Sequence, residues 1–185
     1  MAILAGDGLY AEAVHHLVVH QHAPPERVLA ALRELAAATG VNGMVGGQYV
    51  DVENTTPPGV EGLRRVHELK TGRLITASVI CPLALAGADE PATIAFRRFA
   101  AELGVLFQIV DDILDVTGTE ASLGKPQGSD ERHGKRTYVS EFGLDRARAL
   151  ADESHRAARA QLATAAPRGA PELEQITDFI FTRTS

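Results

Sequence analysis

An all-α protein is what this sequence predicts, on three observations. Ala and Leu hold a large share of the composition, and both favour helix. Aromatic residues are only 5% and Trp is absent. Apolar residues recur at helical spacing between well-marked Pro and Gly breaks. With 185 residues, 45% of them hydrophobic, the chain is long enough for a single domain over 1–185. A chain of this length buries roughly two-thirds of its unfolded surface.

The breaks place helices at about 3–22, 25–54, 60–87, 91–118, 138–165 and 171–183. In the first, Ile3, Leu4, Leu9, Val14, Leu17 and Val18 ask for partners on several sides, so it reads as an interior helix of a chain that starts mid-domain. His16 and His20 share a face of it, with His15 and His22 nearby. No third metal ligand accompanies them, and they read as polar positions. The start, Met1 to Asp7, has no cationic segment and meets an acid before any long apolar run, so it is not expected to be a signal peptide.

The second helix carries Gly43, Gly46 and Gly47, with Gln48 and Asp51 three residues apart on one face. Those glycines permit tight helix packing or close approach of a ligand, and tight packing is the commoner cause. The third contains Lys70-Thr71-Gly72. Glycine is costly inside a helix, so local unwinding or close approach is expected there, presenting the ammonium and hydroxyl to an anion. Taken alone, Lys70 reads equally as a surface lysine beside a helix break. The uncharged run from Leu74 to Ala88 is too short for a membrane span and contains Pro82, which predicts a kinked, buried helix.

The fourth helix holds the strongest signal, Phe107-Gln108-Ile109-Val110-Asp111-Asp112-Ile113-Leu114-Asp115. At helical spacing Gln108, Asp111 and Asp115 stack on one face with Asp112 beside them, while Leu103, Phe107, Val110 and Leu114 take the opposite face. Gly104, one turn earlier, removes bulk from the acidic side. Like charges so spaced destabilise a helix unless a cation compensates, and clustered carboxylates suit a hard divalent ion such as magnesium. A solvated acidic face is the ordinary explanation for clustered Asp. The aliphatic flanks argue against it here.

The connection from Gly118 to Thr137 has no hydrophobic periodicity and is long for a compact domain. Its glycines carry Lys125 and Lys135, two cations able to fold back over a metal-bound phosphate. It is not a phosphate-binding P-loop, because Gly128 and Gly134 are one residue too far apart and Lys135 precedes Arg136 rather than Ser or Thr. The net charge of −6 gives no support for a nucleic-acid surface. The single cysteine, Cys81, excludes an internal disulfide and fits a reducing cytoplasm.

Taken in order, Gly46-Gly47-Gln48 with Asp51, Lys70-Thr71-Gly72, Phe107-Gln108-x-x-Asp111-Asp112-x-x-Asp115 and the segment from Gly124-Lys125 to Lys135-x-Thr137 resemble the trans-isoprenyl diphosphate synthases. Farnesyl and geranylgeranyl diphosphate synthases are of this type. The likeness runs from about Leu4 to the end, where Phe179-Ile180-x-x-Arg183 is similar to the family's closing helix. It implies an all-α bundle, a homodimer, and magnesium on Asp111 and Asp115 with Asp112 in support. Lys70, Thr71, Gln108, Lys125 and Lys135 match positions that contact the diphosphate or the forming cation, and Asp51 a polar position in the same cavity. The implied substrates are an allylic diphosphate and isopentenyl diphosphate.

The family's first aspartate-rich motif has no counterpart before residue 111. The resemblance therefore implies a bundle without its amino-terminal helices, half of a metal site, and little turnover by these residues alone. Two other readings stay open: another class I terpenoid enzyme, and a non-catalytic subunit of a full-length synthase. The lysine motifs weigh against the first and the intact aspartates against the second.

Overall fold

The structure is a computed structural model, and it describes residues 1–53, 55–57, 59–118 and 134–184. Among the described residues nine α-helices and one π-helical segment follow in order: α1 Ala2–Val19, α2 Pro25–Thr39, α3 Met44–Val52, α4 Gly59–His67, the π segment Glu68–Gly72, α5 Arg73–Ala86, α6 Glu90–Thr117, α7 Tyr138–Phe142, α8 Leu144–Ala165 and α9 Pro171–Thr182. Among the described residues there is no strand, as the composition predicts.

The central element is α6, 28 residues and roughly 42 Å long. Asp89 starts it by accepting the Ala92 N–H at 2.9 Å, which satisfies one of the helix's orphan donors. Its apolar face supplies Phe99, Leu103, Leu106, Ile109, Val110 and Leu114 to the core, each 8% exposed or less. Burying one such side chain contributes about 1.5–3 kcal/mol. The opposing α8 offers small residues, Ala147, Ala151, Ser154 and Ala158, so the two backbones approach closely over a long contact. Leu63, Tyr138, Leu162 and Ile180 complete the cluster from α4, α7, α8 and α9. On the far side of α6, α5 packs against α2, and Arg97 of α6 donates both guanidinium nitrogens to Glu34 of α2, at 2.6 and 3.0 Å.

Several sequence expectations change. The helix expected at 25–54 ends at Gly40, whose backbone is extended (ψ −166°), and resumes at Met44. The helix expected at 138–165 divides at Gly143, whose φ of +79° no β-branched or bulky residue adopts without strain. The run after Leu74 is a helix with Pro82 inside it, but only Ala77 and Ile80 are buried, so it is a half-covered flank. Helix α1, expected to be interior, contributes no buried residue: Ile3, Leu4 and Leu9 are 80%, 68% and 74% exposed. Its inner edge closes an apolar cavity of about 430 Å³ with Leu35, Leu74 and Cys81.

Two stretches, Pro25–Val52 and Gly59–Ala86, are long and apolar enough to cross a membrane by length and composition. The helices of a packed bundle meet the same two criteria. The first stretch is interrupted at Gly40, and the second carries Lys70 midway.

Candidate active site

The π segment sets the geometry. One residue more than an α-turn is held in this bulge, a feature that often marks functional positions, and it ends on Gly72 where the sequence predicts local unwinding. Two other glycines seat it. A methyl group on Gly47 of α3 would lie 2.5 Å from the Lys70 backbone nitrogen, and one on Gly104 of α6 would lie 3.0 Å from Gly72 Cα. Gly104 therefore does not open space beside the acidic face, as expected from the sequence. It lets α6 and the π segment touch.

From this seat Lys70 reaches α3, its Nζ 2.6 Å from Asp51 Oδ2, with the two side chains 29% and 16% exposed. Thr71 turns towards α6 and donates its hydroxyl to Gln108 Oε1 at 3.3 Å. Gln108 Nε2 donates to Asp112 Oδ1 at 2.8 Å, and the Tyr138 backbone N–H donates to Asp112 Oδ2 at 2.7 Å. Gln48, on the same helix as Asp51, is exposed.

The acidic face differs from the one expected. Residues four apart meet on a helix, so Gln108 pairs with Asp112, and Asp111 lies on the side of Phe107. Arg183, just past α9, spans that second pair: its Cζ is 4.5 Å from the Phe107 ring centroid and its Nη2 is 3.5 Å from Asp111 Oδ1. Phe107 thus shares a face with an aspartate instead of opposing it. Asp112 and Asp115 are 1% and 2% exposed, and both line a cavity of about 360 Å³ whose other wall is Gly134, Lys135, Thr137 and Ser140.

Lys135 is delivered to that cavity by its neighbours. Thr137 and Ser140 form a capping box that starts α7, with reciprocal bonds of 2.8 and 3.0 Å. Arg136 ties the same stretch to the start of α4, donating to the Pro57 carbonyl at 2.7 Å and to Glu141 Oε1 at 2.7 Å. That bond holds the Glu141 carboxyl below its ordinary value. Lys125 lies outside the described residues. A further cavity of about 340 Å³ lies behind the π segment, with Glu34, Gly72, Arg73, Arg97 and Gly104 in its wall.

The three aspartates expected around one metal are divided between two settings, and among the described residues no group of three or more His, Cys, Asp or Glu is placed to hold a metal ion. A closed protein cage is therefore not built here. The donor chemistry still suits magnesium, which takes one or two carboxylates and completes its shell with water and phosphate oxygens. Asp115 faces Lys135 across the cavity that Asp112 also lines, while Asp111, one turn away on the same helix, stands beside Arg183.

Sequence reading passed over Tyr138 and Arg136 and took Arg183 only as part of a closing helix. The Thr137-x-x-Ser140 spacing was the available signal for the first two, since it marks a helix start beside Lys135.

Comparison with known proteins identifies the family. The model of the family described as polyprenyl synthetase matches residues 1–176. Geranylgeranyl pyrophosphate synthase 3 of Arabidopsis thaliana, a chloroplastic protein, is 38% identical over 99% of this chain and 52% of its own length. A dimethylallyltranstransferase of Fischerella ambigua is 36% identical over all of this chain and 54% of its own. Among solved structures, a geranyltransferase of Helicobacter pylori complexed with magnesium and isoprenyl diphosphate superposes with a TM-score of 0.83 at 31% identity, covering 97% of this chain and 58% of that one. The chain spans about half the length of the curated relatives it matches. It belongs to the polyprenyl synthetase family.

Proposed function

We propose that this chain supplies the second acidic helix and the lysine side of a trans-prenyltransferase site, in a protein that joins isopentenyl diphosphate to an allylic diphosphate. The observation that carries the reading is a cavity lined by Asp112, Asp115 and Lys135 together. Carboxylates facing a lysine across a cavity give a metal-bound diphosphate both of the partners it needs.

In the reaction the allylic C–O bond breaks and the diphosphate leaves. The double bond of isopentenyl diphosphate attacks the allylic carbon, and a proton is lost. Asp111 and Asp115 would hold magnesium, which when bound would supply Lewis-acid charge to the departing diphosphate. Lys135 donates to its oxygens from across the cavity, and Lys70, oriented by Asp51 at 2.6 Å, donates from the π segment. Thr71 and Gln108 tie the π segment to the acidic helix through their hydrogen bond. Lys125 is assigned the same task as Lys135. We further propose a cytoplasmic homodimer with no membrane span.

A complete site clamps the diphosphate from two acidic helices, and the sequence holds one Asp-Asp pair. The 185 residues by themselves are therefore expected to give at most slow transfer of labelled isopentenyl diphosphate to an allylic primer, lost without magnesium and in Asp111→Asn. Robust Asp111-dependent turnover would overturn the half-site reading. A cyclised product formed from the allylic diphosphate alone would move the assignment to a terpenoid cyclase.

A further inference from the structure

We infer that Asp112 is a positioning residue, which fixes the direction of a hydrogen-bond chain through the site and pins the start of α7 beside Lys135. The role given to Thr71 rests on the prenyltransferase reading, whereas the pin itself does not.

Asp112 is 1% exposed, and each of its oxygens accepts a short bond: from Gln108 Nε2 at 2.8 Å and from the Tyr138 backbone N–H at 2.7 Å. Both donors are amide N–H groups, so both Asp112 oxygens act as acceptors. Gln108 must therefore turn its NH₂ towards Asp112 and its carbonyl towards Thr71, and Thr71 must give its hydroxyl proton to that carbonyl. The chain runs one way, from Thr71 through Gln108 to Asp112.

The second oxygen acts across 26 residues of sequence. Tyr138 is the first residue of α7, and the first N–H groups of a helix have no acceptor within it. Asp112 is the acceptor that Tyr138 uses. The bond joins α6 to α7 three residues from Lys135, so the acidic helix itself sets where that lysine stands. Asp111, on the neighbouring face, makes neither contact.

The test is amide hydrogen exchange in the ¹⁵N-labelled chain, read as the rate at Tyr138 relative to the core amides of Ala151 and Ala158 in α8. Asp112→Ala is expected to raise that ratio about tenfold, because the amide loses its acceptor and opens locally. Asp112→Asn should restore protection to within about threefold, since its carbonyl can accept from Tyr138 while Gln108 reverses and Thr71 becomes an acceptor. Asp111→Ala should leave the ratio unchanged. If the alanine variant fails to fold, the asparagine variant decides, and loss of Tyr138 protection there would overturn the inference. An unchanged ratio in Asp112→Ala, or an equal rise in Asp111→Ala, would overturn it as well. Because exchange reads a bond and not catalysis, either result leaves the prenyltransferase reading to its own assay.

Discussion

Replacing Gly47 by Ala adds one methyl group where α3 crosses the π segment. That methyl would lie 2.5 Å from Lys70 N, 2.8 Å from Leu69 Cβ and 2.9 Å from the Leu69 carbonyl carbon. Favourable carbon contacts lie at about 3.5–4.0 Å, so α3 and the π segment must separate by on the order of 1 Å. Overpacking of this kind costs about 1–3 kcal/mol. Alanine also returns roughly 1 kcal/mol of helix propensity, which would mask part of the cost. Gly8 in α1 separates the two effects, because a methyl there has nothing within 4 Å. The difference between Gly47→Ala and Gly8→Ala, read from urea unfolding, cancels propensity and leaves packing. We expect Gly8→Ala to be stabilised and Gly47→Ala to fall about 1–3 kcal/mol below it. The separation should also stretch the 2.6 Å pair between Lys70 and Asp51, which the same two elements carry. Equal stabilisation of both variants would refute the close crossing, and with it the account of how Lys70 and Thr71 are aimed.

Two predictions concern pH. The Arg97 guanidinium holds the Glu34 carboxyl below its ordinary 4.5, so this pair contributes stability above that pH and loses it as pH falls through the lowered value. The Arg97 and Glu34 side chains are 44% and 24% exposed, which limits the contribution to on the order of 1 kcal/mol. Thermal melts from pH 7 to 3 should show the gap between wild type and Glu34→Gln closing below 4.5; a constant gap would contradict the pairing. Burial, opposed by the nearby Arg64 charge, pushes the Tyr138 phenol up from 10.0 to about 12. Above pH 10 the unfolded phenol ionises while the folded one must keep its proton, so stability falls as pH rises towards 12, by about 2–3 kcal/mol. Tyr138→Phe should lack that portion of the alkaline decline, and an identical decline in both proteins would show the phenol to be solvated.

Helical periodicity and the Pro and Gly breaks carried most of the fold, because local signals suffice for long amphipathic helices. Helix α6 was readable for that reason. Gly40 and Gly143 were not read as breaks, since apolar residues on both sides keep helical spacing and only the backbone reveals the interruption. Gly72 was read as an unwinding and is the end of a π segment. Gly104 was misassigned because a glycine on a helix face looks alike whether it opens a cavity or admits a second backbone. The acidic motif announced three carboxylates, but its spacing could not say that Asp112 faces α7 while Asp111 faces α9. Those partners are 26 and 72 residues away in sequence, and such distances are set by packing alone.

The central claim is that α6 and the segment entering α7 together hold a metal-bound diphosphate. Calorimetric titration of inorganic pyrophosphate into the chain, with and without magnesium, tests it most directly. The account predicts binding that requires magnesium and weakens about tenfold, or 1.4 kcal/mol, in both Asp115→Asn and Lys135→Gln. Absence of magnesium-dependent binding, or binding that neither substitution alters, would contradict it.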